Sequence, residues 1–121
     1  MSDPKFEGKV LFVDDDRSFR EFYGREAERA GVDDFAVFED APGAVAGIKG
    51  LDEAAAAIFS DGLNGGWAEV IAAAQEARIP AFVVSGDLRI QREVEEEGAV
   101  FIDKGSINLD FVARALGELQ Q

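Results

Sequence analysis

Hydrophobic and polar positions along the chain fall into two alternating kinds of segment. Short apolar runs rich in β-branched and aromatic residues occupy residues 9–13, 35–38, 55–60, 80–84 and 99–102, and each reads as a strand. The first, Lys9-Val10-Leu11-Phe12-Val13, has the composition of a strand covered on both faces. Between these runs, apolar residues recur at helical spacing. Phe19, Phe22, Tyr23, Ala27 and Ala30 predict a helix over 17–30 that Gly31 ends, and Phe111, Val112, Ala115, Leu116 and Leu119 predict one over 108–119. Shorter helices are expected at 42–49, 67–77 and 88–97. The run at 55–60 has helical propensity, but Ile58-Phe59 and the break at Gly50 favour a strand. Either Asp16 or Ser18, three residues before Glu21, can cap the first helix.

Five strand–helix units in alternation imply a parallel sheet with helices on both faces and right-handed crossovers. With 121 residues, 47% of them hydrophobic, and no repeat or linker, one α/β domain is expected over residues 1–121, with its core at 9–119.

Charge narrows the partners. Twelve Lys and Arg against 25 Asp and Glu leave a net charge of −13, which repels nucleic-acid backbones and anionic lipid. Residues 1–9 are polar, unlike a signal peptide, and no apolar segment approaches the ~18 residues that span a bilayer, so a cytoplasmic protein is expected. Cysteine and histidine are both absent from the chain. Thiolate nucleophiles, Cys/His zinc sites and histidine bases are therefore excluded, leaving carboxylates, hydroxyls, lysine, backbone groups and a metal to do any chemistry.

In an open parallel sheet, ligands bind beyond the carboxyl ends of the strands. The polar residues there are Asp14-Asp15-Asp16 after the first strand, Asp61 after the third, Ser85 after the fourth and Lys104 just after the fifth. Two carboxylates 4 Å apart repel by about 4 kcal/mol at an effective dielectric of 20. A small hard cation relieves that repulsion, and octahedral Mg²⁺ suits carboxylate, carbonyl and water ligands. Lys104 adds a fixed positive charge, Ser85 a hydroxyl donor, and Gly86 room for close backbone approach.

The order Asp14-Asp15, Asp61, Ser85-Gly86, Phe101, Lys104 resembles the receiver domain of two-component response regulators, over nearly the whole chain from Lys9 to Leu119. The resemblance implies a flavodoxin-like (βα)5 three-layer sandwich with strand order 2-1-3-4-5. It implies that Asp14 and Asp15 help hold Mg²⁺ (or Mn²⁺ or Ca²⁺ in its place), and that Asp61 is both phospho-acceptor and metal ligand. The backbone carbonyl of Leu63 would complete the protein ligands, Ser85 would be the switch hydroxyl, Phe101 the switch aromatic, and Lys104 the partner of Asp61 or its phosphoryl group. The implied partners are a sensor histidine kinase or histidine phosphotransfer protein and a downstream target protein, the chain acting as a stand-alone switch or phosphate relay. Family members often pair through the fourth helix, fifth strand and fifth helix, which leaves a homodimer open.

Three features depart from the family pattern. Gly105 stands where a proline usually follows the lysine, so a trans bond and a looser loop are expected there. The stretches from Asp61 to Ser85 and from Ser85 to Lys104 are shorter than usual, predicting shortened helices on either side of the fourth strand. Residues 62–66, Gly-Leu-Asn-Gly-Gly, lack the common proline and are expected to be mobile.

Each position also has a plain structural reading. Asp14-Asp15-Asp16 can be a solvated, helix-capping loop, Asp61-Gly62 a turn, Ser85-Gly86-Asp87 a helix cap, Lys104-Gly105 a surface turn, and Phe101 a core residue. Trp67 reads as a packing residue and Glu93 to Glu97 as a solvated helix face. Two other functions fit parts of the pattern. One is a pseudo-receiver that binds partners without carrying phosphate. The other is a small haloacid-dehalogenase-like phosphatase using Asp14, with Asp16, Ser85 and Lys104, but it leaves Asp61 unexplained and the chain short of a cap.

Overall fold

A computed structural model describes residues 6–108 and 110–119. Part of the polar N-terminal stretch (residues 1–5) and Leu109, inside the expected last helix, lie outside the described residues. The elements run β1 (Val10–Val13), α1 (Arg17–Arg29), β2 (Phe35–Phe38), α2 (Ala41–Lys49), β3 (Ala57–Asp61), α3 (Trp67–Glu76), β4 (Ala81–Ser85), α4 (Gln91–Glu96), β5 (Val100–Asp103) and α5 (Phe111–Leu119). The five strands form one parallel sheet in the order β2-β1-β3-β4-β5.

Alternation within β1 builds the three layers. Val10 and Phe12 face one side of the sheet and pack with Tyr23 and Ala27 of α1 and with Phe111, Val112, Ala115 and Leu116 of α5. Leu11 and Val13 face the other side, against Ala41, Ala44 and Ile48 of α2 and Val70, Ala73 and Ala74 of α3. All four β1 residues are buried, as expected of a central parallel strand. On the α1/α5 face, Phe12, Phe59 and Phe82 stack across three adjacent strands at centroid separations of 5.4 and 4.6 Å, with Tyr23 5.1 Å from Phe12. Trp67 and Ile71 close the opposite face with Val83, Val94 and Ala99, so Trp67 is the packing residue its sequence context suggests.

Boundaries moved where turn chemistry decided them. β3 covers 57–61 rather than 55–60, which makes Asp61 the last residue of the strand itself. β4 and β5 each begin and end one residue later than expected. The expected helix at 88–97 is a 3₁₀ turn over Leu88–Ile90 followed by only six α-helical residues, with Asp87 capping the turn through a bond from the Arg89 amide. α4 is thus short, as anticipated, and Glu93, Glu95, Glu96 and Glu97 are exposed. Asp16, not Ser18, caps α1, accepting from the Ser18 amide at 2.8 Å. The last helix begins at Phe111, after Asp110 adopts φ 72°. Among the described residues no helix is long and apolar enough to cross a membrane.

Candidate functional site

The parallel register sets the site. Val13 pairs with Ser60, Asp61 with Val84, and Ser85 with Asp103. The residues that end β1, β3, β4 and β5 therefore lie along one rim of the sheet, where side chains far apart in sequence converge.

Asp14 is the deepest of them. It is fully buried, and both carboxylate oxygens are engaged. Oδ1 accepts from the Asp16 amide at 2.9 Å, and Oδ2 accepts from Lys104 Nζ at 2.8 Å, with the Tyr23 hydroxyl 3.4 Å away. The Asp14 carbonyl accepts from Arg20 Nη1 at 2.9 Å, which fixes the β1–α1 connection. Burial raises the Asp14 pKa above the ordinary aspartate value, and the bonds from Lys104 and the Asp16 amide only partly offset it. Burial likewise pushes the Tyr23 phenol up, reinforced by the charges of Asp14 and Asp61, so it stays a neutral donor.

Asp61 is partly exposed at the end of β3, its side chain retaining 15% of its accessibility. Its Oδ1 accepts from Lys104 Nζ at 2.9 Å and its Oδ2 from the Leu63 amide at 3.1 Å. Lys104 bridges the two carboxylates and also places Nζ 3.9 Å from the centroid of the Phe19 ring. Burial pulls the ammonium pKa down, but the bonds to Asp14 and Asp61 outweigh it and the net shift is upward, so Lys104 remains a cation. Every peptide bond among the described residues is trans, including Lys104–Gly105, and the Asp103 side chain holds the following turn by accepting from the Gly105 amide and the Ser106 hydroxyl.

Asp15 is exposed beside this pair. One carboxylate oxygen from each of Asp14, Asp15 and Asp61 lies within 4.8 Å of the others, a spacing and an all-oxygen donor set that fit a hard divalent cation. Leu63, at φ 52° and next to Asn64 at φ 51° and Gly65 at φ 100°, turns sharply through the left-handed region; the Gly62 carbonyl accepts from the Gly65 amide and the Leu63 carbonyl from the Gly66 amide, each at 3.0 Å, so residues 62–66 form a hydrogen-bonded turn.

Ser85 is buried at the end of β4, where its Oγ accepts from the Asp87 amide at 3.0 Å. A side chain on Gly62 would come within 3.1 Å of that oxygen, so the glycine leaves the hydroxyl close to the residue after Asp61. Asp61, Leu63, Trp67, Ser85, Asp87 and Ile90 help line a cavity of about 250 Å³ next to the carboxylate. Phe101 is half-buried and packs with the Trp67, Ile71, Val83, Val94 and Ala99 cluster rather than with the carboxylates. The structure thus gathers Asp14, Asp15, Asp61 and Lys104 tightly and sets Ser85 across the cavity. Phe19, Arg20 and Tyr23 complete the site and were not singled out by sequence, because their helical spacing marks them only as core-facing or solvated positions of α1.

No family model matches the sequence, and no curated protein matches it. Solved structures do. The receiver domain of the Francisella response regulator 1452 aligns with a TM-score of 0.77 at 21% identity, covering 93% of this chain and 96% of that one. A response regulator receiver domain protein from Clostridium thermocellum aligns at 0.81 with 12% identity, covering 93% and 94%. The BeF3-activated DrrB receiver domain aligns at 0.76 with 16% identity, covering 95% and 98%. At these identities the likeness is one of fold: over 93–95% of its length the chain has the architecture of receiver domains.

Proposed function

We propose that this chain is a phospho-accepting receiver, in which Asp61 takes a phosphoryl group from a phosphohistidine on a sensor histidine kinase or phosphotransfer protein. The observation that carries the reading is the Lys104 ammonium lying 2.8 Å from Asp14 and 2.9 Å from Asp61, from the end of a third strand. Asp61 is the one of this pair that a donor can reach. Asp14 is wholly buried with both oxygens bonded, which disfavours a phosphatase using it as nucleophile.

An Asp61 oxygen attacks phosphorus, and the bond from phosphorus to the imidazole nitrogen breaks. The electron pair leaves with that nitrogen, and the product is an acyl phosphate on Asp61. Lys104 neutralises charge on Asp61 and on the incoming group, and Ser85 supplies a hydroxyl at the cavity wall. Asp14, Asp15, Asp61 and the Leu63 carbonyl are the groups that would hold Mg²⁺, which when bound would neutralise charge on the phosphoryl oxygens. The roles of Asp14 and of the Leu63 turn are to hold donors in place before the substrate arrives. The added group carries about −1.5 to −2 charge, and a preference of even ~1–3 kcal/mol for one conformer shifts populations about 5- to 150-fold. Ser85 and Phe101 are the side chains through which that preference would reach the α4 and β5 surface, where a target protein would read it.

Incubation with Mg²⁺ and acetyl phosphate followed by intact-mass measurement tests the reading. One added phosphate that disappears in Asp61→Asn is the expected result. An unmodified wild-type mass, with no beryllofluoride binding, would leave a pseudo-receiver. Phosphate on a residue other than Asp61, or steady turnover of small phosphate esters, would overturn the assignment.

A further inference from the structure

We infer that Phe19 of α1 is a positioning residue for Lys104, its ring face holding the ammonium at the apex between Asp14 and Asp61. The inference concerns geometry first; as a statement about phosphoryl transfer it rests on the function proposed above.

An ammonium has three N–H donors. In this site two are taken by carboxylates, at 2.8 and 2.9 Å, and the Phe19 centroid lies 3.9 Å from the nitrogen. The lysine side chain is only 18% exposed, so little water is available to the third donor, and the negative face of the ring takes its place. An aliphatic side chain would fill the same volume without attracting the cation.

The main chain alone does not locate the charge. Lys104 opens a 3₁₀ turn whose backbone is tied by Asp103, but four side-chain carbons on rotatable bonds separate that backbone from Nζ, and a free lysine samples many rotamers. Only contacts at the tip select one rotamer. Two of the three tip contacts, Asp14 and Phe19, belong to the same unit: Asp14 Oδ1 bonds the amide of Asp16, and Asp16 caps the helix turn that carries Phe19. The ring is itself fixed, edge-on to Phe22 at 5.7 Å and tilted against Tyr23 at 5.8 Å. Helix α1 therefore presents the ammonium with a carboxylate and an aromatic face in a set relation, and Asp61 arrives from a different strand to share it.

Proton NMR of the wild type reads the geometry directly, since protons near a ring face move upfield. The Lys104 ε-methylene protons are expected upfield of the free-lysine position in the wild type and in Phe19→Tyr, and at the free-lysine position in Phe19→Leu. With acetyl phosphate and Mg²⁺, Phe19→Leu should form the Asp61 adduct about threefold to tenfold more slowly, and Phe19→Tyr should recover to within about twofold of wild type. A side chain that merely fills space predicts the reverse, with Leu tolerated as well as Tyr. Lys104 methylenes at the free position in the wild type, or a Leu variant that reacts at the wild-type rate, would overturn the inference. If the wild type shows the upfield shift but forms no adduct, the phospho-acceptor reading fails, while the shift in the wild type and in Phe19→Tyr still places the ring over the ammonium. Because the wild-type spectrum needs no substitution, a poorly folding variant does not remove the test.

Discussion

Lys104 and Asp14 stand 90 positions apart in the chain, yet the ammonium of one is bonded to the fully buried carboxylate of the other at 2.8 Å. A buried charge is tolerated only when paired. Lys104 is the one cation bonded to either the Asp14 or the Asp61 carboxylate among the described residues.

Lys104→Met removes that cation and leaves Asp14, Asp15 and Asp61 to repel one another. The variant should lose about 2–3 kcal/mol of unfolding free energy, below the roughly 3–5 kcal/mol of breaking a fully buried pair because Lys104 keeps some water contact. Added Mg²⁺ should then raise the melting temperature of Lys104→Met more than that of wild type, since the ion relieves a larger repulsion. An equal rise in both proteins would show that the lysine and the ion do not act on the same charges.

Asp15 is exposed and has a different profile. Asp15→Asn should leave stability within about 0.5 kcal/mol, as surface substitutions usually do. It removes one of the three oxygen donors, so Mg²⁺ affinity measured by calorimetric titration should fall about tenfold or more. Unchanged affinity would remove Asp15 from the ligand set.

Two glycines inside helices should respond in opposite directions to alanine. At Gly47 of α2 a Cβ would stand 2.4 Å from Phe38 Cζ, so Gly47→Ala must displace the ring and should cost about 1–3 kcal/mol, beyond what helix propensity returns. At Gly117 of α5 a Cβ meets nothing within 4 Å, and Gly117→Ala should stabilise by about 0.5–1 kcal/mol. Denaturant midpoints for the pair check both signs.

Glu26 ties α1 to the start of α5. It is buried, accepts from the Asp110 amide at 2.7 Å and pairs with Arg29 at 3.1 Å. Glu26→Ala orphans that amide and should cost about 1–3 kcal/mol, with faster hydrogen exchange in the first turn of α5. Glu26→Gln keeps an acceptor of the same shape and should cost less. Equal losses would place the effect in the ion pair with Arg29 rather than in the amide bond.

The parts legible in the sequence were those that local pattern controls. Alternating apolar runs marked all five strands and their order of appearance, and the polar residues just past them marked the rim on which Asp14, Asp61, Ser85 and Lys104 meet. Boundaries were read less well where an edge is a turn: α4 lost its first three residues to a 3₁₀ turn that Asp87 caps. What sequence could not carry was depth. Nothing in Asp14-Asp15-Asp16 distinguishes the first aspartate, which is wholly buried, from the next two, which are exposed; that difference comes from Lys104 and Tyr23 arriving over it. Phe19 and Tyr23 appear in sequence as core positions because helical periodicity reports which face a residue occupies, not the polar group waiting there. Glu26 was hidden in the same way, a charged residue in a helix whose partner lies 84 positions later.

The long separation between Asp14 and Lys104 also bears on how the protein is made. During synthesis the ribosome delivers all three aspartates well before the lysine, so a nascent chain ending at β4 holds the negative charges without their internal counterion. The rim reaches its settled form only once β5 and the turn after it have emerged, which makes completion of this corner a late, long-range event in the life of each new molecule.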